Sequence, residues 1–461
     1  MNRKRSLAGG NIETFLFSDT DSDSSFSSDE ENNEVEQSTS SNENYEEDER
    51  TDVIAVETVM ESVFQNQEVY MLAFSSLYRG VRYSSVFPKS LARRGMCSTV
   101  EDDVIFESEK NNRIITLNRP KAMNALNLSM IRKMYPQIKK WEEDLDTGFI
   151  LMKGAGPKAF CAGGDVKAIA LAIKSGGTLP ADFFREEYQL DNLIGTLKVP
   201  FVALIDGITM GGGVGLSVHG HFRIATERTV FAMPETAIGL FPDVGGTYFL
   251  PKLGGQLGLF LALTGYRLKG RDVQKCGVAT HYVTSDMIED LEQELRVLKS
   301  KSLLSIQDIL DKYHGRYDKI LLQCFDKRKD PPFSLESRLG KINTMFNCKN
   351  VEDIITKLQE DGTEWSLEIV KLMKSMSPIS MKVTLKQLTR FKDLSLQEAL
   401  QMEYRISQRC MADHDFYEGV RAAMIDKDYS PSWVPSKLSQ VTKKHIDSYF
   451  DPLHPDLELK L

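Results

Sequence analysis

The sequence predicts an α/β fold of repeated strand–strand–helix units, followed by a mostly helical C-terminal region. Between residues 104 and 205, short apolar runs alternate with segments whose apolar residues recur every three or four positions. A glycine-rich stretch follows the apolar run at 201–205 and precedes a helical pattern. After Gly265 the pattern is mostly helical. With 461 residues, of which 41% are hydrophobic, the chain can bury one large core or two smaller ones.

The first part of the chain, residues 1–70, is strongly acidic. It holds 18 of the 66 acidic residues and 4 of the 57 basic ones, which leaves 48 acidic and 53 basic residues for the rest. A segment so rich in Ser, Asp, Glu and Asn cannot bury enough apolar surface to offset the entropy of ordering. The sequence therefore predicts a disordered acidic extension over 1–70, either a solvated tail or an interaction tail.

Residues 71–100 have the opposite composition. From Val69 to Val100 there is no acidic residue, and five basic residues stand among serines and large apolar side chains. This composition is typical of a mitochondrial presequence, although such signals lie at the N-terminus. A functional chain that begins at or near Met71 would resolve the conflict. We therefore expect the mitochondrial matrix as the location; the alternative is a basic linker.

The folded body is predicted to begin at residue 101, with a strand-rich core over 101–285. Apolar runs at 104–106 and 114–117 predict a strand pair. An amphipathic helix follows from Asn127, and then a strand at 149–152. The segment KAFCAGGD is predicted to be a loop, and a further helix covers Phe183 to Ile194.

The stretch from Phe201 to Pro251 carries the residues with the strongest chemical signal. A buried strand at 201–205 and a turn at Asp206–Gly207 precede three glycines, Gly211 to Gly213, which begin a short helix. Glycines let the backbone approach a ligand, and the first N–H groups of a helix have no partner within it. Such N–H groups are suited to stabilise a developing oxyanion.

The C-terminal region, residues 286–461, is predicted to be helical. One helix is expected from Gly362 to Met376, ended by Pro378. Ser395 and Glu398 form a capping-box pattern that opens a helix over 397–411.

Three glycine-containing motifs resemble the crotonase, or enoyl-CoA hydratase/isomerase, superfamily. They are CAGGD (161–165), MGGG (210–213) and MPET…GLFPDVGG (233–246). Together with DFYEGVRAAMIDKD (415–428), they resemble the members that hydrolyse 3-hydroxyisobutyryl-CoA, over about residues 101–440. The resemblance implies a crotonase-like spiral core, with a helical C-terminal part that packs on it and contributes to subunit contacts.

The resemblance also assigns an oxyanion hole. The N–H groups of Gly164 and Gly212 would hold the thioester carbonyl oxygen. Taken singly, each motif could be only a tight turn at the end of a strand. The two motifs in this order favour the oxyanion hole.

Three carboxylates complete the site that the resemblance implies. Glu235 and Asp243 would line the substrate pocket and carry the catalysis, and Glu187 would contact the substrate. The alternatives are a satisfied buried carboxylate for Glu235, a helix cap for Asp243 and a surface charge for Glu187. Glu187 is preferred to its neighbour Glu186 because of the resemblance.

Two residues other than the carboxylates, Ser217 and Cys161, have side chains that could act as nucleophiles. Ser217 lies in GLSVH, which departs from the G-x-S-x-G pattern of serine hydrolases at its last residue and falls within the predicted helix. Cys161 lies beside a glycine turn, but no base is positioned near it in the sequence, so a small buried residue is the better interpretation.

The resemblance implies hydrolysis of 3-hydroxyisobutyryl-CoA to 3-hydroxyisobutyrate and CoA in valine catabolism. The alternatives are an enoyl-CoA hydratase or isomerase, and a catalytically silent scaffold. In hydratases a second acid lies at the position of Gly215, so its absence argues against hydration. An acyl-CoA is the expected partner, and a homo-oligomer is left open. No metal, cofactor, nucleic-acid or membrane partner is expected: CoA is part of the substrate, the six cysteines form no C-x-x-C pair, and no run of 18 apolar residues exists.

Overall fold

The computed structural model describes residues 102–324 and 332–461, so the predictions for 1–100 lie outside the described residues. The strands are β1 Val104–Glu109, β2 Asn112–Leu117, β3 Ile150–Gly154, β4 Ala159–Cys161, β5 Phe201–Ile205, β6 Ile208–Met210, β7 Phe222–Ala225, β8 Val230–Ala232, β9 Leu268–Lys269 and β10 His281–Tyr282. The helices up to residue 324 are α1 Leu128–Glu143, α2 Val166–Ser175, α3 Leu179–Thr196, α4 Gly212–Val218, α5 Gly246–Phe249, α6 Leu257–Thr264, α7 Arg271–Lys275, α8 Ile288–Arg296 and α9 Leu303–Cys324. The later helices are α10 Leu339–Met345, α11 Val351–Asp361, α12 Glu364–Ser375, α13 Pro378–Arg390, α14 Leu396–Ala412, α15 His414–Val420 and α16 Lys443–Ser448.

A six-stranded sheet with the order β1-β2-β3-β5-β7-β10 forms the centre of the fold. Strands β1 and β2 are antiparallel, and the strands from β2 to β10 pair in parallel. All residues of β2 and β5 are buried. This burial on both faces is expected of parallel strands covered by helices on each side.

The two faces of this sheet belong to two hydrophobic clusters. One face carries Leu151, Leu204 and Ile224 and packs against Leu291 of α8 and Leu310 of α9. The other face is part of the larger cluster, which includes residues of α1, α3, α6 and the helices from α11 onward. Helices that follow residue 286 therefore cover the core sheet as well as forming the C-terminal region.

A smaller four-stranded sheet has the strand order β4-β6-β8-β9. Its first three strands alternate along the chain with β5 and β7 of the six-stranded sheet. Strands β4, β6 and β8 are parallel and only three residues long. Because parallel strands end at the same edge of a sheet, the segments that follow β4 and β6 are brought together. Those segments are the two glycine turns.

Most predicted elements are present, with two corrections. The segment KAFCAGGD was predicted to be a loop, but its residues Ala159–Cys161 form β4, which pairs with β6. Pro378 does not simply end a helix: α12 ends at Ser375, and Pro378 is the first residue of α13, where its missing N–H costs nothing. The capping box at Ser395 and Glu398 is formed and opens α14.

None of the described helices is both long enough and apolar enough to cross a membrane.

Candidate active site

The two glycine turns lie side by side at the ends of β4 and β6. Cys161 of β4 is the partner of Thr209 of β6, so Gly163 and Gly211 follow the two strands at the same edge. Their φ angles, +110° and +46°, lie in the region that favours glycine. Gly163 directly precedes the predicted donor Gly164, and Gly211 directly precedes the predicted donor Gly212.

Gly212 has no room for a side chain. A Cβ added there would lie 2.4 Å from Glu187 Oε1 and 3.4 Å from the backbone N of Gly164. Within the described part of the chain, neither the Gly164 N–H nor the Gly212 N–H donates a backbone hydrogen bond. The two predicted oxyanion donors are therefore neighbours, and both are available to a ligand.

A cavity of about 510 Å³, including its open side, contains both turns and three carboxyl groups. Its lining comprises Ala162, Gly163, Gly164, Val166, Phe183, Phe184, Glu187, Met210, Gly211, Gly212, Pro234, Glu235, Ile238, Leu240, Asp243 and Met424. All five predicted site residues belong to this lining. The structure thus brings the predicted glycines and carboxylates together in one cavity.

Glu187 and Glu186 differ in their environment. Glu187 lies on the buried face of α3, is 2% exposed and lines the cavity. Glu186 points away and pairs with Arg132, with an O–N distance of 2.5 Å. The structure places Glu187, and not Glu186, at the site, and the interpretation of Glu187 as a surface charge is wrong.

Glu235 begins a 3-10 helix, Glu235–Ile238, that follows β8. A Cβ added at Gly211 would lie 3.0 Å from Glu235 Oε1, so the carboxyl group faces the second glycine turn. Its Oε2 is buried and has no hydrogen-bond partner among the described residues. Glu235 is therefore a buried carboxyl group that is not satisfied, as an acid that awaits a substrate or water would be.

Asp243 lies on the loop between that 3-10 helix and α5. Its Oδ2 accepts a hydrogen bond of 2.8 Å from the hydroxyl of Tyr188, which is on α3 beside Glu187. Gly245, not Asp243, is the N-cap residue of α5, and no side-chain capping bond is formed there. The helix-cap interpretation of Asp243 is therefore wrong.

Burial and mutual repulsion raise the pKa values of the carboxyl groups in this cavity. Burial raises the pKa of Asp243 to about 7, although the Tyr188 hydrogen bond acts in the opposite direction. Burial, followed by the charge of Asp243, raises the pKa of Glu235 well above its ordinary value, and the same causes raise that of Glu187. Carboxyl groups with pKa values shifted toward neutrality are suited to acid–base chemistry.

The sequence interpretation missed two residues of α3. Tyr188 supplies the hydroxyl that holds Asp243, and Asp191 is fully buried with no hydrogen-bond partner for either carboxyl oxygen among the described residues. Asp191 lies one turn after Glu187, and a Cβ added at Gly215 would lie 2.7 Å from its Oδ1. An acid four residues after Glu187 on the apolar face of the predicted helix was the available signal.

The two alternative nucleophiles do not line the cavity. The Ser217 hydroxyl donates to the carbonyl of Gly213 within α4, at 3.0 Å. Burial raises the pKa of the Cys161 thiol to about 12, which leaves almost no thiolate at neutral pH. Over the described ranges, no group of three His, Cys, Asp or Glu side chains is arranged to hold a metal ion.

The profile of the family described as "Enoyl-CoA hydratase/isomerase" matches residues 112–450. The chain belongs to this family. Proteins named "3-hydroxyisobutyryl-CoA hydrolase, mitochondrial" are similar over most of the chain. The one from Gallus gallus is 55% identical over 77% of this chain and 91% of the relative, and the one from Homo sapiens is 54% identical over 76% and 89%.

Solved structures of the family share the fold. A carnitinyl-CoA dehydratase from Mycobacterium thermoresistibile has a TM-score of 0.70 and 35% identity, and covers 78% of this chain and 99% of its own. An enoyl-CoA hydratase from Rhodobacter sphaeroides has a TM-score of 0.68 and 32% identity, over 78% and 100%. The predicted fold class, a crotonase-like core with a helical C-terminal region, is therefore confirmed.

Proposed function

We propose that this chain hydrolyses 3-hydroxyisobutyryl-CoA to 3-hydroxyisobutyrate and CoA, a step of valine catabolism, in mitochondria. The observation that supports this conclusion most strongly is one cavity that combines two backbone N–H groups with buried carboxyl groups. Within the described part of the chain, neither N–H group donates a backbone hydrogen bond. The high identity to relatives named as mitochondrial hydrolases of this thioester supports both the substrate and the location.

The N–H groups of Gly164 and Gly212 would bind the thioester carbonyl oxygen. Their donation becomes stronger as negative charge develops on that oxygen during attack. Because the glycine turns are fixed by strands β4 and β6, the donors need no rearrangement at that moment. Loss of one such donor typically reduces turnover by an amount equivalent to about 3–4 kcal/mol.

Glu235 would supply the attacking group in one of two ways. In the first, its carboxylate attacks the carbonyl carbon, the C–S bond breaks, and water then hydrolyses the resulting anhydride. In the second, it takes a proton from a water molecule that attacks the same carbon. Both routes use the carboxylate form of Glu235, whose Oε1 faces Gly211 and whose Oε2 has no hydrogen-bond partner among the described residues. Because burial raises the pKa of Glu235, this form is a stronger base than an exposed glutamate.

Asp243 would orient the substrate hydroxyl or carry a proton. With a pKa of about 7 and a fixed hydrogen bond from Tyr188, it can hold a proton near neutral pH and give it to the departing CoA sulfur. Glu187, next to Gly212, would contact the bound acyl group. None of these steps uses a metal or a redox cofactor, and CoA enters as part of the substrate.

Hydration of an enoyl-CoA is the alternative within the same family. Gly215 carries no acid, and the neighbouring Asp191 is not among the described residues that line the cavity, which argues against a second acid placed for hydration. The structural relatives named as a hydratase and a dehydratase are 32–35% identical, well below the hydrolases. A catalytically silent scaffold would have no use for the unsatisfied carboxyl group of Glu235.

A panel of short acyl-CoA thioesters tests the proposal. Free-thiol release and hydration of crotonyl-CoA are measured for the wild type and for Glu235→Gln. We expect rapid thiol release from 3-hydroxyisobutyryl-CoA, little hydration, and a loss of thiol release by about a hundredfold or more in the variant, whose amide can neither attack nor take a proton. Rapid hydration without thiol release, or near wild-type turnover of the variant, would contradict it.

A further inference from the structure

The loop that carries Asp243 has a backbone conformation that its own sequence does not favour. Val244, directly after Asp243, has a φ of +50°, in the left-handed region. A β-branched residue is rarely found there, because its side chain crowds the backbone. Such a conformation persists only when surrounding contacts impose it.

Those contacts come chiefly from Glu403, on α14 in the C-terminal region. Its Oε2 accepts the N–H of Gly245 at 2.7 Å. Its Oε1 accepts the N–H of Thr247 at 2.8 Å and the Thr247 hydroxyl at 2.6 Å. Glu403 is fully buried and does not line the cavity, so these hydrogen bonds are directed at the loop and not at the substrate.

Two further side chains hold the same loop from other elements. Gln387 of α13 donates from Nε2 to the carbonyl of Pro242 and to the Thr247 hydroxyl, both at 2.8 Å. His219, at the end of α4, has its Nε2 2.7 Å from the carbonyl of Val244. Hydrogen bonds thus fix the loop on both sides of Asp243, and α4 also carries Gly212 at its other end.

We propose that Glu403 is a positioning residue for this reaction: it holds the Asp243 carboxyl at the cavity by fixing the backbone N–H groups of Gly245 and Thr247, which lie just after Asp243 in the same loop. Glu403 can have this role only if Asp243 takes part in turnover as proposed above. Glu403 does not touch the substrate, so its removal lowers kcat through Asp243 and leaves the glycine turns intact.

The decisive variant is Glu403→Gln, which keeps the shape but places an amide N–H group against one of the loop N–H donors. We expect kcat to fall by about tenfold or more and KM to change by less than about threefold. Ser407→Ala is the matched control. Ser407 is buried on the same helix, and its hydroxyl bonds to the carbonyl of Tyr404 and to the side chain of Gln408, neither of which lies in the Asp243 loop, so kcat should be retained.

A double-mutant cycle separates positioning from a general structural effect. In an Asp243→Asn background, Glu403→Gln should reduce kcat by less than about threefold, because the group that it positions is already lost. An equal loss in both backgrounds overturns the proposal, as does an Asp243→Asn variant with wild-type kcat. Failure of the wild type to release thiol would instead contradict the proposed function.

Hydrogen exchange gives a readout that needs no activity. The amides of Gly245 and Thr247 should exchange about tenfold faster or more in Glu403→Gln than in the wild type and in Ser407→Ala. Unchanged protection of both amides overturns the proposal.

If Glu403→Gln does not fold, Thr247→Val is the replacement variant, since it removes the hydroxyl contact with Glu403 and keeps both N–H bonds to Glu403. A kcat loss of about threefold or more, absent in the Asp243→Asn background, is expected; no loss overturns the proposal.

Discussion

The protonation of Asp243 links the proposed catalysis to the stability of the folded state. Its pKa is raised to about 7 by burial, against an ordinary value of 3.8. The folded state therefore binds this proton more tightly than the unfolded chain does. The resulting stabilisation is fully present below pH 3.8 and is lost as the pH rises through about 7.

Asp243→Asn should consequently stabilise the protein at pH 8 and do so much less at pH 5. Asparagine stays neutral and can still accept the Tyr188 hydrogen bond. Since one pKa unit corresponds to about 1.4 kcal/mol, the gain should grow by up to about 3 kcal/mol between pH 5 and pH 8. Urea unfolding at the two pH values measures it. Asp146→Asn, at an exposed position, is the control, and a gain for Asp243→Asn that is independent of pH would contradict the raised pKa.

The motifs that resemble the family were sufficient to name four residues of the cavity lining, but not the residues that hold them. Gly164, Gly212, Glu235 and Asp243 belong to continuous motifs, so they could be named from the chain alone. Glu403 contacts Gly245 across 158 positions of sequence, and no local pattern links the two. Buried polar partners of this kind depend on tertiary packing, which periodicity does not encode.

Helices and strands were predicted correctly where a short stretch of sequence carries a clear signal. The all-buried run of β5 and the capping box of α14 are present as predicted. The segment at Ala159–Cys161 was missed because a strand of three residues has too short a pattern, and its partner β6 lies about fifty residues away. Only the pairing of the two strands makes it a strand.

Helix α4 is packed so closely against α3 and the Asp243 loop that Gly215 should not tolerate even a methyl group. A Cβ there would lie 2.7 Å from Asp191 Oδ1 and 2.8 Å from Val244 Cβ. Alanine favours a helix over glycine by about 1 kcal/mol, but overpacking costs about 1–3 kcal/mol, so Gly215→Ala should destabilise the protein. The larger acid of hydratases would meet the same two neighbours.

Combined variants measure how much of the cost of Gly215→Ala comes from the contact with Asp191. Asp191→Ala removes the carboxyl group that the new methyl group would meet, so Gly215→Ala should cost less in that background, by about 1 kcal/mol. Chemical denaturation of the wild type, both single variants and the double variant measures this coupling. Strictly additive effects would show that the Asp191 carboxyl does not restrict position 215.

The last residues of the chain, 455–461, contact both α3, which carries Glu187, and α14, which carries Glu403. The Arg405 Nε of α14 lies 3.0 Å from both carboxylate oxygens of Glu458, and Gln189 of α3 donates to the carbonyl of Lys460 at 3.1 Å. Leu459 is buried in the main hydrophobic cluster. The elements that form or support the site therefore extend from β4 to residue 461.

Deletions at the two ends should have opposite consequences. Among the described residues, those that line the cavity lie between Ala162 and Met424, and the family match begins at residue 112, so removal of 1–100 should leave kcat and KM within about twofold. Removal of 455–461 deletes the buried side chain of Leu459 and the partner of Arg405 in the Arg405–Glu458 ion pair, which should cost about 2–4 kcal/mol of stability. Because the lost contacts join α3 to α14, kcat should fall together with the stability. Thiol release and urea unfolding of the two truncated chains test both expectations, and an N-terminal deletion that abolishes turnover would show that the first hundred residues contribute to the site.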